Sequence, residues 1–166
     1  MEIESLLGLP AHPLLVHAAV VLVPLAALAL AIVGWKPAWR THYAFPVALL
    51  AVAGAVFAFL AKSSGEPLED QVKRAAQSAG VQAHFGEHAE QGDTAFVFAL
   101  IFAFAATAVW AVDRFGDRWR LPKWAPLVTY CVAMLPAILA LATMFVAGHS
   151  GAELVWKDVG SFAAGK

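Results

Sequence analysis

Charge is what this sequence has least of: 14% of its 166 residues are Asp, Glu, Lys or Arg, where a soluble domain carries ~25%. With 61% of residues hydrophobic, so much apolar surface must face something other than water, which excludes a large soluble catalytic domain. The formal net charge is −1 and no basic stripe exists; phosphates would go unneutralised, so nucleic acid is excluded as a partner. The lone Cys131, in an apolar run, excludes disulfides and Cys-based zinc sites within one chain. No Lys or Arg precedes Lys36, and Glu2 and Glu4 stand where a signal peptide would need a basic leader; the first apolar run reads as a retained helix. Internal repeats and low-complexity stretches are also lacking. Apart from His17, no acidic, basic or imidazole side chain falls within an apolar run, which argues against a pump or coupled transporter.

What is present is four windows free of Asp, Glu, Lys and Arg, at about 14–34, 43–61, 94–112 and 125–147. Each has the ~20 residues that cross a bilayer. The expected fold is an all-α integral membrane four-helix bundle, a single transmembrane domain over 1–166. The links after spans one and three hold six basic residues against Asp113 and Asp117, while the rest of the chain holds five basic and ten acidic ones. By the positive-inside rule, both links face the cytoplasm and both termini face out, as in a multi-pass protein of the bacterial inner membrane. Trp35, Trp39, Trp110, Trp119 and Trp124 cluster around the basic links, as befits side chains at a headgroup boundary. Pro13 and Pro126 suit first helical turns, whereas Pro24 and Pro136 fall inside spans and are expected to bend them. Small residues four apart, such as Gly54/Ala58 and Ala133/Ala137, permit close helix approach. In the outer loop 62–93, Pro67 can open a helix whose Leu68, Val72, Ala75 and Ala79 form an apolar stripe against Glu69, Asp70, Lys73 and Arg74. That pattern predicts a short amphipathic outer-face helix between spans two and three.

The histidines are unevenly placed. His12, His17, His84, His88 and His149 all fall at the expected outer level; only His42 lies on the inner side. Glu66, Glu69, Glu87, Glu90 and Asp93 share that outer layer. His84 and His88 are four apart, so on a helix both imidazoles face one way, which suits a shared transition metal, or one haem ligand with a partner that orients it. Met144, five residues before His149, offers an extra soft ligand. His84, Glu87 and His88 also spell H-x-x-E-H, the inverted zinc-peptidase pattern, although Gly86 interrupts it and no third ligand is evident. With only His42 inside, any redox centre is expected near the outer face.

The run Gly8-Leu9-Pro10-Ala11-His12-Pro13-Leu14-Leu15-Val16-His17, Ser64-Gly65-Glu66 with Glu69 and Val72, His84 with His88-Ala89-Glu90-Gln91-Gly92, and Gly148-His149-Ser150-Gly151-Ala152 with Trp156 resemble the bacterial membrane family known as domain of unknown function 2231. The resemblance spans nearly the whole chain. It implies a small four-helix inner-membrane protein, and relatives fused to Rieske or cytochrome-type domains imply redox company; it implies no activity.

The expected function is therefore that of a non-enzymatic membrane protein whose outer-face histidines bind b-type haem or a transition metal for electron transfer or metal handling. His17, His88 and His149 are the expected haem ligands, with His17 and His88 as the bis-histidine pair; His12, His84 and His88 are the expected metal ligands. Glu66, Glu69, Glu90 and Ser150 are expected to orient these imidazoles. Gly65, Gly148 and Gly151 allow tight turns or close backbone approach at the same level. The competing expectation is an accessory subunit that docks a periplasmic redox protein or respiratory complex.

Overall fold

The computed structural model describes residues 5–6, 9–80 and 87–163, with backbone alone at 5–6, 9–10, 37, 155 and 157–163. Two short strands, β1 (Ser5–Leu6) and β2 (Leu9–Pro10), pair antiparallel with Ser5 opposite Pro10 and Leu6 opposite Leu9. Four helices follow: α1 (Ala11–Trp35), α2 (Pro37–Ser78), α3 (His88–Phe115) and α4 (Ala125–Ala163). All four are long and apolar enough to cross a membrane, so the chain is a multi-pass membrane protein. Each helix packs on its neighbours in sequence, and α4 closes the bundle against α1.

Local chemistry explains the helix ends. Pro37 opens α2 at a position where a missing N–H costs nothing. Beyond the end of α2, Gly80 takes a left-handed φ of 72°, a conformation that favours glycine in the turn after a helix.

The expected short helix between spans two and three is not there. Its residues are the continuation of α2, which runs unbroken through Pro46 and Pro67. Proline removes one i→i−4 hydrogen bond and crowds the preceding turn, but it stops a helix only where the flanking residues also favour stopping. Here Ala61, Lys62, Leu68 and Glu69 are good helix formers. At 1.5 Å per residue α2 is roughly 60 Å long, about twice the hydrocarbon thickness. Its amphipathic end therefore projects past the bilayer as part of a spanning helix. Pro24 and Pro136 likewise sit inside continuous helices.

The interior is built from small residues. Ala51, Ala99 and Ala140 are fully buried alongside Val23 and Phe102, while Leu25, Phe45, Phe104, Leu135 and Phe145 point outward. Lipid tails are as apolar as leucine, so large side chains gain little by turning inward; close backbone approach and van der Waals contact hold the helices. Gly54 shows how close: a Cβ there would stand 2.7 Å from Val23 Cγ2 and 3.2 Å from Val23 N.

Candidate functional site

A cavity of about 290 Å3 opens at the end of the bundle where α1 and α3 begin. Its wall is apolar, contributed by residues such as Val16, Ala58, Phe96 and Met144, and two imidazoles enter it, His12 and His88. The rings stand 6.5 Å apart, centroid to centroid, with their planes at 83°.

Both rings are held by the same device. His12 Nδ1 lies 2.8 Å from the Ala61 carbonyl of α2; a carbonyl only accepts, so Nδ1 carries the proton. Ser64, the buried polar side chain among the described residues, donates to that same carbonyl at 2.9 Å and lies 3.5 Å from His12 Nδ1. On the other side, Ser150 Oγ of α4 donates to the Ala147 carbonyl at 3.1 Å. Its proton is thus engaged, and His88 Nδ1 donates to Ser150 Oγ at 3.0 Å. In the neutral form of each imidazole, Nε2 is then the nitrogen with the free lone pair, the arrangement found in metal-ligating histidines oriented through their second nitrogen.

Two glycines make room for the rings. A Cβ at Gly151 would lie 2.8 Å from His88 Cε1, and one at Gly65 would lie 3.0 Å from His12 Cε1. Both sit within helices, so their role is close approach, not turning. Gly148 differs, since a Cβ there would make ordinary contact with Val20 at 3.5 Å. Gly151→Ala is expected to displace His88 from Ser150 while leaving the bundle assembled, weakening any ligand bound through His88 by roughly tenfold or more; ligand titration of the purified variant measures it.

Glu66, Glu69 and Asp93 line the same cavity, with Glu66 and Asp93 exposed. Asp93 is paired with Lys62 at 2.6 Å, tying α2 to α3, and Glu69 is paired with Lys73 one turn along α2. The other residues singled out from the sequence stand elsewhere. His17 is exposed, with Nδ1 on the Pro13 carbonyl of its own helix. His149 is exposed, 3.6 Å from Glu153 and stacked on Phe145. Glu87 and Glu90 are exposed and outside the cavity lining, and His84 lies outside the described residues. Among the described residues, no group of three or more His, Cys, Asp or Glu side chains is placed to hold a metal ion.

Residues 8–163 match the family described as "Predicted membrane protein (DUF2231)". The chain belongs to this family. Within this DUF2231 chain, the histidine of the His-Pro opening, His12, is one of the cavity's two imidazoles, and the serine of the Gly-His-Ser-Gly run, Ser150, holds the other, His88. Neither a curated protein nor a solved structure matches the chain. Ser64 stood in the sequence only as part of the Ser64-Gly65-Glu66 run, and the Ala61 carbonyl carried no signal, because their contact with His12 comes from the crossing of α1 and α2.

Proposed function

We propose that this DUF2231 protein handles a transition-metal ion at the cavity between α1 and α3, with His12 and His88 as ligands through Nε2. The observation that carries this reading is the pair of imidazoles, each fixed through Nδ1 and sharing one small apolar cavity. Two rings that share an ion ~2.0–2.1 Å from each nitrogen stand with centres roughly 5–6.5 Å apart, and these stand 6.5 Å apart. The cavity volume of about 290 Å3 lies at the lower limit of small-molecule pockets, which favours an ion over b-type haem. With the basic links in the cytoplasm, the cavity opens on the outer side of the inner membrane and its carboxylates draw cations toward it.

Metal analysis of detergent-purified protein, followed by titration of the chelator-stripped protein with Co2+, Zn2+ and Cu+, tests the proposal. One equivalent of bound transition metal is expected. Binding of none of the three overturns it, and a Soret band at one haem per chain would replace it with the haem reading. A second role has its own support: α2 extends roughly 30 Å beyond the hydrocarbon core, a suitable platform for docking a periplasmic redox protein or respiratory complex.

A further inference from the structure

The wall of the cavity narrows the class of ion. Met144 of α4 lines the same cavity as His12 and His88 and is only 4% exposed. Its side chain carries a soft, neutral thioether donor in a mostly apolar wall. No carboxylate or thiol joins the imidazoles in a three-ligand group among the described residues, so the four-ligand protein cage of structural zinc and the oxygen shell of magnesium, calcium or manganese are both missing. What the cavity offers is two imidazoles and a thioether, a set that suits monovalent copper.

Charge points the same way. All three donors are neutral, and of the carboxylates in the same lining Glu69 and Asp93 are already paired with Lys73 and Lys62 while Glu66 is exposed. The cost of moving an ion into an apolar surrounding grows with the square of its charge, so a monovalent ion incurs about a quarter of the penalty of a divalent ion of equal size. Glu66 and Asp93 are exposed and Glu69 is partly so; with Asp93 and Glu69 engaged by lysines, these carboxylates attract a cation toward the cavity.

We infer that the site selects Cu+ and that Met144 is its third ligand. The inference rests on the proposed metal site at His12 and His88 and specifies its cargo. The test uses the full-length protein in detergent, stripped of metal and titrated with Cu+ against a chromophoric Cu+ chelator, and separately with Co2+ and Zn2+. Cu+ is expected to bind one per chain and at least a hundredfold more tightly than Co2+ or Zn2+. Met144→Leu keeps the side chain's volume and is expected to weaken Cu+ at least tenfold while leaving Co2+ and Zn2+ affinities unchanged. Copper-edge X-ray absorption is expected to show one sulfur neighbour in the native chain and none in Met144→Leu, a readout independent of small losses of stability. Cu+ affinity unaltered in Met144→Leu, or tighter binding of Zn2+ than of Cu+, overturns the copper assignment and leaves the histidine metal site standing. Failure of every ion to bind overturns both.

Discussion

Gly54→Leu is expected to destabilise the bundle by about 3 kcal/mol, at the upper end of the usual range for overpacking a close-packed interior. At this point α2 lies against the backbone of α1, since even a Cβ would come within 3.2 Å of Val23 N and 3.4 Å of Val23 Cα. Val23 is fully buried, so its side chain has nowhere to swing, and the helices themselves must part. Gly54→Ala should cost less, about 1–2 kcal/mol, because alanine recovers up to ~1 kcal/mol of helix propensity. Pairing Gly54→Ala with Val23→Ala removes the 2.7 Å contact to Val23 Cγ2 but not the backbone contacts, so partial coupling between the two substitutions is expected. Unfolding in mixed micelles, titrated with a denaturing detergent and followed by circular dichroism, measures all three. Gly92→Ala is the control, as its Cβ would meet nothing within 4 Å. Equal stabilities of Gly54→Leu and Gly92→Ala would show that α1 and α2 do not approach in this way.

His12→Ala and His88→Ala are each expected to lower metal affinity at least a hundredfold, and the double variant to leave no measurable binding. Each substitution removes one of two imidazoles in the cavity, and a wall with so few polar groups offers no replacement. His17→Ala and His149→Ala are expected to bind as the native chain does, since His17 is bonded to its own helix and His149 lies beside Glu153 on the exposed side of α4. Ser150→Ala separates holding from ligation. It leaves His88 in place but removes the acceptor at 3.0 Å, with an expected loss of roughly ten- to a hundredfold. Isothermal titration of the detergent-solubilised variants reads each value. Full affinity in the His12→Ala, His88→Ala double variant would remove the site from this cavity.

The difference between His12 and His17 shows where sequence reading stopped. Both histidines stand at the entrance of the first span, and the sequence reading paired His17 with His88 as haem ligands and His12 with His84 and His88 as metal ligands. On a helix the five-residue offset between them corresponds to about 140° of rotation, so only one of them can face the bundle axis well. Which one does depends on where α2 and α3 pack against α1, a fact carried by no local pattern. His88 was legible from its four-residue spacing to His84 at the outer level and Ser150 as a residue that could orient an imidazole, but that these two meet needed α4 to pass alongside α3. The fate of Pro67 was ambiguous for a similar reason. Proline can start a helix or be carried inside one, and the choice depends on whether the preceding turn already has a helical frame, which span two supplies.

Composition and the placement of charge determined by themselves that the chain crosses a membrane four times, because the free-energy cost of burying ions in hydrocarbon is large and local to each residue. They also determined that polar chemistry gathers at one end. Only the tertiary structure decided which polar groups meet there: that His12 faces His88, that Ala61 and Ser150 hold them, and that Met144 joins them in the same cavity. Those choices rest on helix rotation and on approach distances set by Gly65 and Gly151, a few ångströms in each case, and such quantities exist only once the helices have packed.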